Sequence, residues 1–140
     1  MAFVSAIHWR RDVTEVKSLH ILHIEDDETQ GEVIWKALSK CGLVFHVSLV
    51  TSQESYKLAL EEGDVDLVLS DSSGDDFNGE DALRYLRANY PGIPFLFVSA
   101  SYSDCAAQTL MDGGASDCLT KSHLRGLAPA ILRATRNAIH

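Results

Sequence analysis

The fold is indicated most directly by residues 21–27, which read Ile-Leu-His-Ile-Glu-Asp-Asp. The first four residues fit a short buried strand, and three consecutive carboxylates end it abruptly. A similar stretch occupies residues 65–71, where the run from Val65 to Ser70 stops at Asp71. Strands that are apolar at nearly every position, rather than at alternate ones, are typical of a sheet covered on both faces.

Outward from these two runs, strands and helices alternate along the chain. Further apolar runs cover residues 43–50, 94–98 and 118–120, and Ser103 can cap a helix between the last two. Strands of four to six residues separated by helices indicate βαβ units with right-handed crossovers. The predicted fold class is therefore α/β: a doubly wound, flavodoxin-like sheet of five parallel strands in the order 2-1-3-4-5, with helices on both faces.

Capping residues and turn residues predict where the helices begin and end. The first helix is closed by Gly42, and Thr51 or Ser52 can cap the second, which ends near Gly63. The last helix begins near Pro129, because proline is favoured in the first helical turn. The apolar residues of the first helix recur at helical spacing, at Val33, Ile34, Ala37, Leu38 and Cys41.

Length and composition indicate a single globular domain. The chain has 140 residues, of which 46% are hydrophobic and 23% charged. The net charge of −8 argues against a nucleic-acid partner. No apolar run approaches the roughly 20 residues that cross a bilayer, and no signal peptide is evident, so we expect no membrane contact by this chain.

The cysteines and the N-terminal residues complete this outline. The three cysteines (Cys41, Cys105 and Cys118) are odd in number and lack metal-ligand spacing, so we interpret them as reduced thiols of a cytoplasmic protein, two of them buried. Residues 1–18 lie outside the strand–helix pattern and form an N-terminal extension that docks as a short helix, or a linker from a longer parent. The domain itself is predicted to cover residues 19–140.

The functional signal comes from the residues at which the strands stop. In a doubly wound sheet, ligands bind beyond the carboxyl ends of the strands, where the strand order reverses. Glu25 and Asp26 follow the first strand, Asp71 the third, Ser99 the fourth and Lys121 the fifth. Each residue alone has a structural explanation as a helix cap, a turn residue or a solvated lysine. Their convergence on one edge favours a binding site.

The chemistry of these groups points to phosphoryl transfer. Crowded carboxylates repel one another unless a cation joins them, and hard oxygen ligands suit Mg²⁺ better than Zn²⁺. Asp71 can then attack a phosphoryl group in line, while Mg²⁺ and Lys121 neutralise the phosphoryl oxygens. No phosphate-binding loop of the Gly-x-x-x-x-Gly-Lys-Ser/Thr type is present, so we do not expect a nucleotide as the ligand.

Four stretches taken together resemble the signatures of the two-component response-regulator receiver domain. The resemblance runs from about Leu19 to about Arg136. The matching stretches are residues 21–27, residues 66–71 with Gly79 eight residues on, residues 97–100 and residues 114–121.

The resemblance implies both a metal site and a phosphorylation site. The implied Mg²⁺ ligands are Glu25 through water, Asp26 directly, Ser73 through its backbone carbonyl, and Asp71. Asp71 is also the implied phosphoacceptor, Ser99 the switch hydroxyl, and Lys121 the partner of a phosphoryl oxygen.

The resemblance also implies partners for the chain. A sensor histidine kinase or a phosphotransfer protein would supply the phosphoryl group, and an output partner or a second copy of the chain would meet the switched face. The implied role is that of a phosphoacceptor domain rather than an enzyme. Residues 121–127, just before Pro129, are similar to receiver domains attached to sensor histidine kinases.

Three departures from the family pattern leave a second hypothesis open. Asp75 and Ser122 replace the usual prolines, and Cys118 replaces the usual aromatic residue. A phosphorylation-independent interaction module with the same fold is therefore the alternative. A small phosphatase that works through an aspartyl phosphate is a third hypothesis. It is less favoured, because such an enzyme would normally have a second aspartate where this chain has Ser73.

Other polar and aromatic residues carry less functional information. His23 lies inside the first apolar run and is predicted to be a core or hydrogen-bonded histidine rather than a phosphohistidine. His20, His46 and His123 have no partners at ligand spacing. For Trp35, in the first helix, a core position and a surface position are both open.

Overall fold

The computed structural model describes residues 18–70, 79–99 and 117–139. In these ranges the strands are β1 (Leu19–Ile24), β2 (Phe45–Val50), β3 (Leu67–Ser70), β4 (Phe95–Ser99) and β5 (Asp117–Thr120). The helices are α1 (Glu28–Lys40), α2 (Gln53–Glu62), α3 (Gly79–Asn89) and α4 (Leu127–Ile139), and a 3-10 helix covers Lys121–Gly126. The predicted helix after Ser103 and the predicted extension over residues 1–18 lie outside these ranges, except for Ser18.

The strands form one parallel sheet in the order β2-β1-β3-β4-β5. This confirms the predicted α/β fold class and the predicted strand order. The order reverses at β1, which lies between β2 and β3. The carboxyl ends of β1 and β3 therefore flank the switch point at which such sheets bind ligands.

Both faces of the sheet are covered by a buried apolar cluster. On one face, Ile21 and Leu67 of the sheet pack with residues of α1 and α4, such as Leu38 and Ile131. On the other face, the strands pack with residues of α2 and α3, including Tyr56, Leu60, Ala82 and Leu86. Because neighbouring residues of a strand point to opposite faces, nearly every position of the central strands is apolar, as the sequence predicted.

Local capping defines the two helices nearest the β2 edge. The Asp27 carboxylate accepts a hydrogen bond from the backbone N–H of Thr29 at 3.0 Å, which caps α1. Ser52, rather than Thr51, caps α2 through a reciprocal pair of hydrogen bonds with Ser55. Gly63 ends α2 with a φ of +88°, a conformation that glycine adopts without steric strain.

Two details differ from the sequence prediction. Val33 is 54% exposed and Cys41 is exposed, because the buried stripe of α1 is narrower than predicted and the helix ends at Lys40. Helix α4 begins at Leu127, two residues before Pro129, because the 3-10 helix leads directly into it. Pro129 still lies in the first turn, where a missing backbone N–H removes no intrahelical hydrogen bond.

Two histidines stack at the amino ends of β1 and β2. His20 and His46 are register partners, and their ring centroids lie 4.5 Å apart with an angle of 15° between the planes. The His20 ring is also hydrogen-bonded to the Asp64 carbonyl at 3.0 Å and to the Ser48 hydroxyl at 2.8 Å. Burial lowers the pKa of His46, and the neighbouring His20 lowers it further, against a smaller opposing effect of Asp66.

This pKa shift predicts acid-sensitive stability. Because the pKa of His46 is lower in the folded state, the unfolded chain binds more protons as the pH falls below about 6.5. The contribution of His46 to stability is therefore fully present above that pH and decreases as the pH falls toward the lowered folded pKa. His46→Gln removes the titrating group. The free energy of unfolding of the wild type, relative to that of the variant, should therefore decrease at acidic pH.

Urea unfolding at about pH 7.5 and about pH 5.5, on either side of the ordinary histidine pKa, measures this difference. A difference of the same size at both pH values would contradict the assignment.

Candidate functional site

The strand register determines which chain positions meet at the carboxyl edge of the sheet. Ile24, the last residue of β1, pairs with Ser70, the last residue of β3, and Ser70 pairs with Phe97 of β4. Ser99 pairs with Thr120 of β5. Since neighbouring strands lie about 4.8 Å apart, the backbones of Ile24, Ser70 and Phe97 fall within about 10 Å of one another, and Ser99 lies two residues further along β4.

The predicted site residues are distributed along this edge. Glu25 and Asp26 follow β1 directly, Ser99 is the last residue of β4, and Lys121 is the first residue of the 3-10 helix after β5. Asp71 and Ser73, together with Asp75, lie outside the described residues, and so do the side chains of Ser99, Cys118, Lys121 and Ser122.

Glu25 presents a buried carboxylate at the end of the central strand. Its backbone N–H donates to the Val50 carbonyl at 3.2 Å, so the pairing with β2 extends one residue past β1. Glu25 is 3% exposed, and its Oε2 atom accepts a hydrogen bond from the backbone N–H of Asp27 at 3.3 Å. A buried carboxylate is costly unless it is hydrogen-bonded or bound to a cation, and the backbone N–H of Asp27 supplies one such hydrogen bond.

The three consecutive carboxylates differ in their surroundings. Asp27 is the N-cap of α1, whereas Asp26 is exposed. A buried Glu25 beside an exposed Asp26 supplies the hard oxygen donors that Mg²⁺ prefers. Among the described residues, no group of three or more histidine, cysteine or acidic side chains is placed to hold a metal ion. The acidic pair alone is thus the described part of the predicted metal site.

Two buried hydrogen bonds near this edge were not evident from sequence spacing. Trp35 Nε1–H donates to His23 Nδ1 at 3.0 Å, which confirms His23 as a hydrogen-bonded core histidine and places Trp35 in the core. The Tyr56 hydroxyl donates to the Ala82 carbonyl at 2.9 Å, and burial raises the pKa of Tyr56. The second bond connects α2 to the first turn of α3, the helix that follows residues 71–78.

The sequence matches the family model of the response regulator receiver domain over residues 21–131. The chain belongs to this family. Receiver domains are signalling domains of two-component systems and are generally not enzymes. Within the described part of this receiver domain, no helix has both the length and the apolar character needed to span a bilayer.

Individual relatives support the same assignment. This receiver domain is 32% identical to the transcriptional regulatory protein CusR of Escherichia coli K12 over 103 residues, which is 74% of the chain and 44% of CusR. It is 33% identical to the sensor kinase CckA of Brucella abortus over 95 residues, 66% of the chain and 10% of CckA. The chain therefore spans less than half the length of either relative.

The fold also matches solved receiver structures. One is a response regulator receiver domain protein from Clostridium thermocellum, with a TM-score of 0.73 and 24% sequence identity. The superposition covers 85% of this receiver domain and 95% of the other chain. At this level of identity the likeness establishes the fold, and the functional assignment depends on the residues at the carboxyl edge.

The described geometry of Asp27 predicts a purely local role for this carboxylate. Asp27→Ala removes the acceptor for the Thr29 N–H and should lower the free energy of unfolding by about 1 kcal/mol. Asp27→Asn keeps an acceptor oxygen and should remain close to the wild type. Urea unfolding followed by circular dichroism measures both variants. Equal stability of Asp27→Ala and the wild type would show that the cap contributes nothing.

Proposed function

We propose that this receiver domain is the phosphoacceptor of a two-component phosphorelay and takes a phosphoryl group on Asp71 with Mg²⁺ bound. The observation that carries the proposal is the alignment of Ile24 with Ser70 across β1 and β3. Glu25 and Asp71 each follow one member of this pair in the sequence. We therefore assign the acidic pair (Glu25 and Asp26) and the phosphoacceptor to adjacent strand ends at the switch point.

The proposed metal ligands are all oxygen donors. Asp26 and Asp71 would bind Mg²⁺ directly, Glu25 through water, and Ser73 through its backbone carbonyl. The burial of Glu25 and the exposure of Asp26 support this division, because an outer ligand can be buried while a direct ligand must reach the ion. When bound, Mg²⁺ supplies positive charge that offsets the phosphoryl oxygens.

The proposed donor is the phosphohistidine of a histidine kinase or a phosphotransfer protein. A carboxylate oxygen of Asp71 forms a bond to phosphorus as the N–P bond of the donor breaks, and the leaving imidazole takes up a proton from water. The Lys121 ammonium group holds one phosphoryl oxygen and the Ser99 hydroxyl donates to another. The product is an aspartyl phosphate that water can hydrolyse to the carboxylate and inorganic phosphate.

The proposed output is a change of surface at the phosphorylated edge. A phosphoryl group adds negative charge beside an acidic pair, which changes the balance of charge and hydrogen bonds around it. The switched face would then meet an output partner or a second copy of the chain. In this proposal residues 19–140 form the receiver domain, and residues 1–18 form an extension or a linker.

Two properties support the proposed setting of this function. Cys41 is an exposed free thiol, which suits a reducing compartment and supports a cytoplasmic location. The net charge of −8 argues against contact with nucleic acid by this chain, although the matched relative CusR is a transcriptional regulatory protein. We propose no membrane contact and no independent enzymatic turnover.

Labelling with acetyl phosphate tests the phosphoacceptor directly. The wild type should be labelled in the presence of Mg²⁺, and the label should disappear with a chelator or in Asp71→Asn, which lacks the nucleophilic carboxylate. Ser73→Ala is the matched control, because only the backbone of Ser73 is proposed to bind the metal. Lys121→Ala should be labelled more slowly than the wild type, since it lacks the ammonium group.

The outcomes separate the two functional hypotheses. Equal labelling of the wild type and Asp71→Asn would refute the assignment of Asp71. Absence of both labelling and Mg²⁺ binding, with partner binding unchanged in Asp71→Ala, would instead support a phosphorylation-independent interaction module.

A further inference from the structure

A buried polar pair joins α1 to the central strand just before the acidic pair. Trp35 Nε1–H donates to His23 Nδ1 at 3.0 Å, and the rings meet edge to face with their centroids 5.8 Å apart. The two residues are 4% and 1% exposed. An indole N–H only donates, so His23 Nδ1 carries the lone pair and the ring proton lies on Nε2. The contact therefore holds His23 as a neutral imidazole in one tautomer.

Helix α1 keeps a glycine that makes this contact sterically feasible. Gly31 is buried one turn before Trp35, and a Cβ atom at this position would lie 2.7 Å from Cζ2 of the indole. Glycine is unfavourable inside a helix, so its presence here is explained by the space that the indole occupies. The placement of the indole over β1 thus depends on two positions of α1, Trp35 itself and Gly31.

The polar pair lies close to the predicted metal ligands along the chain. His23 precedes Glu25 by two residues, and residues two apart in an extended strand point to the same face. On the other side, Glu25 Oε2 accepts from the backbone N–H of Asp27, the residue that caps α1. The turn containing Glu25 and Asp26 is therefore tied to α1 at its cap and, further along the helix, through Trp35.

We propose that Trp35 and His23 are positioning residues that fix the orientation of α1 on β1 and thereby preorganise Glu25 and Asp26 for Mg²⁺. This inference rests on the proposed function. Apolar contacts such as those of Ile34 hold α1 against the sheet, but they define its rotation less strictly than a directional hydrogen bond does. Groups that orient metal ligands without touching the ion strongly influence metal affinity.

The decisive variant removes one hydrogen-bond donor and keeps an aromatic ring. Trp35→Phe deletes the indole N–H, so the directional hydrogen bond from the helix to His23 Nδ1 of β1 is lost. We expect Mg²⁺ affinity, measured by titration calorimetry on the full chain, to fall by about tenfold. The labelling rate with acetyl phosphate at saturating Mg²⁺ should stay close to the wild type, because neither residue is assigned to the phosphoryl group.

Two further variants distinguish positioning from general stabilisation. Ile34→Val removes a buried methylene next to Trp35 and should lower stability without changing Mg²⁺ affinity. His23→Asn keeps an acceptor near the position of Nδ1 and should retain more Mg²⁺ affinity than His23→Leu, which has none. If Trp35→Phe binds Mg²⁺ as tightly as the wild type, or if Ile34→Val weakens binding equally, the positioning role is refuted.

A measurement on the wild type keeps the inference testable if a variant fails to fold. Long-range ¹⁵N–¹H NMR of His23 should show the proton on Nε2. A proton on Nδ1 would refute the hydrogen bond from Trp35 and with it the positioning role. A wild type that binds no Mg²⁺ would refute the proposed function and the positioning role together. If the wild type binds Mg²⁺ and Trp35→Phe binds it with equal affinity, only the positioning role is refuted.

Discussion

The parallel pairing of β1 with β3, which ends at Ile24 and Ser70, is the constraint on which the site depends. Both strands are buried on both faces, so their side chains are divided between two apolar clusters. A slip of one residue would exchange the two sets of side chains and disrupt both clusters. The core therefore fixes the register, and the register fixes which residues follow the strands at the carboxyl edge.

The residues that end β1 also begin α1, so fold and site share the same few contacts. Glu25 continues the pairing with β2, Asp27 caps the helix, and a hydrogen bond joins the two residues. A packed α1 then covers β1 through an apolar stripe and the Trp35–His23 contact. A displacement of α1 would consequently disturb the turn that contains Glu25 and Asp26.

Sequence periodicity and capping predicted the fold because their causes are local. The strands and the end of α2 near Gly63 follow from short apolar runs and turn chemistry, whereas the strand order was predicted from the doubly wound fold class and the choice of Ser52 over Thr51 as the cap was left open. The exposure of Val33 depends on how α1 lies on the sheet, which spacing along one helix does not specify. The stacked pair His20 and His46 arises from strand register, and the two residues lie 26 positions apart in the sequence. For the site, the sequence indicated which residues follow each strand, while the burial of Glu25 and the Trp35–His23 bond required tertiary packing.

A crystal structure with Mg²⁺ and beryllofluoride, which mimics a phosphoryl group on a carboxylate, would test the central claim most directly. We predict the metal ion between Asp26 and Asp71 with the Ser73 carbonyl as a further ligand, and the beryllium atom on an oxygen of Asp71. A metal ion bound elsewhere, or carboxylates of Asp26 and Asp71 separated by more than about two strand spacings, roughly 10 Å, would contradict it.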